Sequence, residues 1–251
     1  MRAVNVALFV TCLTDQFYPQ VGVAVVEVLE RLGCRVSFPS RQTCCGQPFW
    51  NNGFETEARR LARRMISVFE QADYVVTPSG SCAATVREAY GRMLVDEPEW
   101  HARAQRLAGR TFEFVEFLTR VLRVDLRRLG ARWAGRVTYH YSCHLRGLGL
   151  KEEAVDLLRA IEGLTHTPLE HRDQCCGFGG TFGLKYPWIS GPLARRKARD
   201  LRATGAPVVV SNEAGCTMNL AGACRRDGVD VRFVHVAEIL AESLGRAEPT
   251  P

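Results

Sequence analysis

The sequence is nearly without lysine. Lys151, Lys185 and Lys197 are the only ones among 251 residues, so the formal charge of +6 rests on arginine. The arginines gather as Arg59-Arg60, Arg63-Arg64, Arg127-Arg128 and Arg195-Arg196-Lys197, spaced like solvated helix faces, with no aromatic residues interleaved. A single-stranded nucleic-acid platform needs that interleaving, so no nucleic-acid partner is expected. Also missing is any apolar run near the ~18 residues of a membrane span. Met1-Arg2-Ala3-Val4 enters a strand-like segment without the apolar region and small-residue cleavage site of an export signal. A cytoplasmic chain with no membrane span is therefore expected. No Ser/His/Asp arrangement and no HExxH pair suggests hydrolysis. Gly177-Phe178-Gly179-Gly180 lacks the strand–helix setting and the Lys-Ser/Thr of a phosphate-cradling loop, so nucleotide binding is set aside. No catalytic residue is assigned.

What the chain does have is cysteine, ten in all, in a repeated arrangement. Cys12, Cys44 and Cys45 recur 131 residues later as Cys143, Cys175 and Cys176, and Cys82 recurs 134 residues later as Cys216. Each vicinal pair is followed by glycine, in Thr43-Cys44-Cys45-Gly46-Gln47-Pro48 and Gln174-Cys175-Cys176-Gly177-Phe178-Gly179-Gly180. Core packing has no reason to duplicate such a spacing, whereas a duplicated ligand set does. In a reducing compartment structural disulfides are not expected, and repeated spacing points to metal or catalysis. Adjacent cysteines are also poorly placed to bond each other. Cys34 and Cys224 fall outside the pattern and read as small buried apolar residues.

With 46% hydrophobic residues the chain can bury a full core. Val4 to Val10 is a nearly continuous apolar run, the pattern of a buried parallel strand. A helix over Val21–Leu32 stops at Gly33, and a second strand over Arg35–Phe38 leads to the Cys44-Cys45-Gly46 loop. Then come an amphipathic helix over Glu55–Gln71 and a third strand, Tyr74–Thr77, ahead of Cys82. Asp96–Gly109, charged and containing Pro98, reads as a surface excursion. Phe112–Val121 reads as a strand entering a helix, and Asp125–Gly135 as a linker. The programme restarts with a strand over Arg136–Tyr141, a helix over Lys151–Ile161 and a strand over Leu164–Leu169. A helix over Pro192–Ala203, strands at Val208–Val210 and Val231–Val234, and a helix over Ala237–Leu244 complete it. The tail 247–251 is expected to fray. The fold class is α/β: two open lobes, residues 1–128 and 129–251, from an internal duplication. Each has parallel strands and flanking helices, the two lobes related by a pseudo-twofold axis with their sites near the interface. Ligand sites in such sheets lie at the strands' carboxyl ends.

Four thiolates per lobe, Cys12, Cys44, Cys45 and Cys82, then Cys143, Cys175, Cys176 and Cys216, match the ligand count of a [4Fe–4S] cluster. Zinc competes, since four thiolates also suit a tetrahedral site, although the paired Cys-x₂₋₄-Cys knuckles usual for zinc are missing. Thiol–disulfide chemistry at the vicinal pairs is a third reading. His144 follows Cys143 where the first lobe has Leu13, so it could tune one site rather than serve both. His140, in the strand before, reads as a satisfied core histidine.

The two Cys-x₃₁-Cys-Cys-Gly blocks resemble the cysteine-rich "CCG" domain family, found in heterodisulfide reductases and in the iron–sulfur subunit of glycolate oxidase. Pro78-Ser79-Gly80-Ser81-Cys82 and Asn212-Glu213-Ala214-Gly215-Cys216 are similar to the family's later cysteine segment. A chain of this length with two blocks and no ferredoxin motif is most similar to the lactate-utilisation members. The resemblance implies electron transfer within a multi-protein iron–sulfur complex that oxidises L-lactate to pyruvate, with other iron–sulfur subunits as partners. Glycolate or a disulfide is the alternative substrate, and a zinc-stabilised interaction module the alternative class. The family pattern ends in Cys-x-x-Cys, whereas Thr85 and Asn219 stand at those last positions. With four cysteines per block the expectation is an ordinary cubane cluster, one or two per chain.

Overall fold

The computed structural model describes residues 4–245, so the tail expected to fray lies outside the described residues. The chain divides between Val121 and Leu122 into two compact units. Each contains a four-stranded sheet whose strands are all parallel. In the first unit the strands are β1 (Val4–Leu8), β2 (Cys34–Ser37), β3 (Tyr74–Thr77) and β4 (Thr111–Glu113), in the order β2-β1-β3-β4. In the second they are β5 (Arg132–His140), β6 (Glu162–His166), β7 (Val208–Ser211) and β8 (Arg232–His235), in the order β6-β5-β7-β8. The strand order is the same in both sheets, so the duplication read from the cysteines extends to topology.

Each strand alternates with helices because the chain alternates short β-branched runs with amphipathic stretches. Helices Glu55–Phe69 and Pro187–Ala203 bury matching stripes. In the first the buried residues are Ala58, Ala62, Met65, Ile66 and Phe69; in the second they are Ser190, Ala194, Lys197, Ala198 and Leu201. The intervals are identical, which pairs Lys197 with Met65. The last strand of each unit runs straight into a helix through a capping box, Glu113 with Glu116 and His235 with Glu238. Both ends thereby satisfy otherwise orphaned backbone N–H groups.

Two segments differ from expectation. Asp96–Gly109 is an ordered helix over Pro98–Ala108 that buries Ala104 and Leu107, with Trp100 packed against the same core. Pro98 sits at its first turn, where a missing N–H costs nothing, so the proline starts the element. Asp125–Gly135 is no open linker either. Leu126 and Ala131 are buried, and β5 begins at Arg132, with a bulge between Arg132 and Gly135 where it pairs with β6. The sixth strand also lies earlier than expected, ending at His166 rather than Leu169.

In each sheet the chain crosses from β1 to β2 on one side and to β3 on the other, and from β5 to β6 and β7 likewise. That reversal opens a crevice at the carboxyl ends of the two central strands, where open α/β sheets bind ligands. The loops after β2 and β6 reach it through Gly46 and Gly177, both left-handed, with φ of 89° and 85°. A Cβ on Gly46 would meet nothing closer than 3.4 Å, while one on Gly177 would lie 2.7 Å from the Ser190 carbonyl oxygen. Gly46→Ala is expected to carry only the left-handed penalty, about 1–2 kcal/mol. Gly177→Ala should add about 1–3 kcal/mol of overpacking. Unfolding midpoints of the two variants against the parent check this, and equal losses would contradict it.

Candidate metal centre

Each unit gathers its four patterned cysteines from three strand ends. Cys12 opens the helix Cys12–Phe17 after β1, and Cys143 opens Cys143–Gly147 after β5. Cys82 lies in the first turn of Gly80–Ala84, where the Ser79 hydroxyl accepts a hydrogen bond from its backbone N–H at 3.3 Å. Cys216 lies in the first turn of Ala214–Arg226. The vicinal pairs come from the loops after β2 and β6. All ten cysteines are free thiols, and the two outside the pattern, Cys34 and Cys224, are buried as expected.

The four sulfurs of each unit influence one another, and two of them are in contact. Cys45 and Cys82 lie 3.3 Å apart at Sγ, and Cys176 and Cys216 3.0 Å apart. Cys12 and Cys45 both act on the Cys44 thiol, and Cys143 and Cys176 act likewise on Cys175. The inner pairs, Cys45 with Cys82 and Cys176 with Cys216, are buried within apolar clusters. Cys12 and Cys175 are exposed, and Cys44 and Cys143 half-buried. Each site is thus closed on one side and open on the other.

In each site one sulfur is the favoured thiolate. Hydrogen bonds from Cys12 and Cys45 pull Cys44 down to about 3, against burial and with help from the Gly46 N–H at 3.4 Å. Cys143 and Cys176 pull Cys175 down to about 2, with the Gly177 N–H at 3.3 Å. The donors move oppositely: Cys12, Cys45, Cys143 and Cys176 are all pushed up, first by their thiol hydrogen bonds and then by burial. Phe178 N–H lies 3.5 Å from Cys176 Sγ, adding another backbone dipole aimed at sulfur. A donor set of four sulfurs with N–H groups turned toward it fits a soft metal centre, iron–sulfur or zinc.

The surroundings of the two sites differ. The Cys45 carbonyl is satisfied by the buried Tyr90 hydroxyl at 2.9 Å, and the equivalent Cys176 carbonyl by the Asn219 amide, also at 2.9 Å. Asn219 therefore braces the turn from the position where the family pattern has a further cysteine. Thr85, at the matching place in the first unit, donates its hydroxyl to the Ser81 carbonyl at 2.8 Å and starts a π-helical turn, Thr85–Ala89. His144 lies with Nδ1 3.7 Å from Cys143 Sγ.

His140 departs from the expectation of a satisfied core histidine. It is 1% exposed at the end of β5, and neither ring nitrogen has a hydrogen-bond partner among the described residues. Its ring lies with Cys176 and Cys216, the potential ligand atoms of all three within 4.8 Å of one another. Burial, then the neighbouring Lys197 cation, pulls its pKa down to about 3, so the imidazole is neutral. Lys197, expected on a solvated helix face with Arg195 and Arg196, is fully buried instead. Buried on its helix, it donates to the His171 carbonyl at 2.6 Å and the Arg172 carbonyl at 3.4 Å, holding the turn that leads to Cys175. Met65 does the corresponding task without charge, its sulfur accepting from the Thr43 N–H at 3.4 Å.

Comparison with known proteins agrees with this geometry. The family described as "Cysteine-rich domain" (CCG) matches residues 6–87 and 137–221, one segment in each unit. The chain is 46% identical over 237 residues to the lactate utilization protein A of Shouchella clausii, covering 94% of this chain and 98% of that one. Identity to the protein of the same name from Geobacillus kaustophilus is 47% over 237 residues, with the same coverage. A solved hypothetical protein from Helicobacter pylori has a TM-score of 0.65 at 10% identity, covering 99% of this chain and 50% of that one, a likeness of fold alone. With both units matched and nearly half of the residues shared over almost the whole length, the chain belongs to the cysteine-rich CCG domain family, alongside the relatives named lactate utilization protein A.

Proposed function

We propose that this chain is an iron–sulfur electron-transfer subunit of a cytoplasmic oxidoreductase complex that oxidises L-lactate to pyruvate. The observation that carries the metal reading is the set of four interacting cysteines with one close sulfur pair, met twice at the same point of the same topology. The substrate follows from the relatives named for lactate utilisation. Their likeness covers nearly the whole chain, which favours lactate over glycolate or a disulfide. Among the described residues no helix is long and apolar enough to cross a membrane.

An iron–sulfur cluster, when bound, supplies reversible one-electron acceptance. Lactate oxidation to pyruvate releases two electrons and two protons. The substrate chemistry is assigned to partner subunits, and this chain's thiolates would hold the one-electron centres. Cys12, Cys44, Cys45 and Cys82 would hold one centre, and Cys143, Cys175, Cys176 and Cys216 the other. Gly46, Gly177 and Phe178 turn their N–H groups to sulfur and so stabilise thiolate charge. The inner pairs keep water from one side of each site, while the open side leaves a route for electrons. Leu184, Tyr186, Trp188 and Ile189 are exposed just after the Cys175-Cys176-Gly177 loop. Large apolar side chains beside a redox site suit a protein partner.

Zinc is the second reading, because thiolates and imidazole suit it and, among the described residues, His140, Cys176 and Cys216 bring potential ligand atoms within 4.8 Å of one another. Metal analysis after anaerobic purification separates the two. Iron with equimolar acid-labile sulfide and broad visible absorbance is expected, whereas a colourless protein with stoichiometric zinc would reject the redox function. In the iron-loaded protein, Cys45→Ser and Cys176→Ser are each expected to abolish the EPR signal of one centre and about half of the visible absorbance. Spectra unchanged by either substitution would remove that cysteine from the ligand set.

A further inference from the structure

The three residues before the first cysteine of each unit run Phe9-Val10-Thr11 and His140-Tyr141-Ser142. Phe9 and His140 therefore occupy the same place, at the end of the central strand beneath the site. Phe9 N–H bonds Val76 O at 2.9 Å, while His140 pairs in register with Ser211. Phe9 is fully buried, packs on Phe69 at 5.6 Å between ring centroids, and shares an apolar cluster with Cys45 and Cys82. His140 is equally buried but brings a ring nitrogen within 4.8 Å of the equivalent pair, Cys176 and Cys216, and neither of its nitrogens has a partner among the described residues.

Leaving a buried imidazole unpaired forfeits the hydrogen bonds it made to water in the unfolded chain. Nothing in the apolar cluster around Cys176 and Cys216 offsets that loss while the thiols are protonated. Deprotonation of the thiols on metal binding supplies an acceptor, since a thiolate sulfur accepts an N–H hydrogen bond strongly. We propose that His140 donates its ring N–H to the Cys176–Cys216 sulfur pair of the loaded C-terminal centre, giving that centre a higher reduction potential than the N-terminal one. The inference rests on the iron–sulfur reading above. Its physical basis is that an added electron increases negative charge on sulfur, so a donor there stabilises the reduced form, and Phe9 offers no such donor. With the four cysteines as ligands, His140 acts beside them as a positioning and tuning residue. The chain thereby carries two unequal centres, and electrons it accepts come to rest on the C-terminal one.

The test is an EPR-monitored redox titration of the anaerobically loaded full chain, repeated in a Cys45→Ser background to isolate the C-terminal centre. Two one-electron waves are expected in the parent, with the higher belonging to the C-terminal centre. His140→Phe should lower that wave by at least tenfold in the reduction equilibrium, about 59 mV for a one-electron couple, and leave the other in place. His140→Gln, which keeps an N–H donor, should shift it less, and Phe9→His should raise the N-terminal wave. Hyperfine spectroscopy of the reduced C-terminal centre should show an exchangeable proton that disappears in His140→Phe. If His140→Phe does not fold, the glutamine variant and Phe9→His carry the comparison. An unshifted wave at parental iron and sulfide content, a C-terminal site that takes no iron, or strong nitrogen coupling from direct ligation each overturns the inference while the iron–sulfur reading stands. A parent protein without iron and sulfide removes both.

Discussion

A protein that draws two adjacent side chains into one site must turn its backbone immediately afterwards, and the turn after Cys44-Cys45 and Cys175-Cys176 is left-handed. A residue with a Cβ resists that conformation, so glycine follows each pair. From this one constraint the rest of each unit follows. The left-handed glycine aims its own N–H at the first cysteine of the pair and releases the second inward, toward the cysteine delivered by β3 or β7. The carbonyl of the inner cysteine is then buried, and a side chain from the following helix has to satisfy it. Tyr90 does so in one unit and Asn219 in the other. The same geometric demand has been met by unrelated chemistry.

The two units share their topology and differ in what lines it. Strand order, the carboxyl-end crevice, the matching helix stripes and the terminal capping boxes are common to both. The substitutions Phe9 to His140 and Met65 to Lys197 make one lining apolar and the other polar. Both concern positions that face the thiols or the loop carrying them, and both add hydrogen-bond donors to the C-terminal site alone. A duplicated scaffold can diverge in this way because the sulfur set and the backbone turn hold the site in place while the second layer varies.

Much of this could be read from the residues. The cysteine spacing shows the duplication, short apolar runs mark most of the strands, and the glycine after each pair marks the turn. The failures have physical reasons. Pro98 looks like a breaker until its place at a helix start is known, and the stripe Trp100, Ala104, Leu107 is short enough to be masked by surrounding charge. Gly130 and Gly135 suggested a linker, yet the bulge at the start of β5 absorbs Gly135 in a paired strand. Lys197 was hidden inside a basic cluster, and only alignment of its helix stripe with that of Glu55–Phe69 shows it at an inward position. For His140 a signal was available: it stands three residues before Cys143, as Phe9 stands before Cys12. Sequence alone does not reveal that both of its nitrogens lack partners.

The unequal burial of the sulfurs fixes where chemical damage to the site begins. Peroxide or an alkylating agent arriving from solvent meets Cys12 or Cys175 before it can reach Cys45, Cys82, Cys176 or Cys216. Injury therefore proceeds from the rim inward. The inner sulfurs, enclosed in apolar clusters, are the last to be reached.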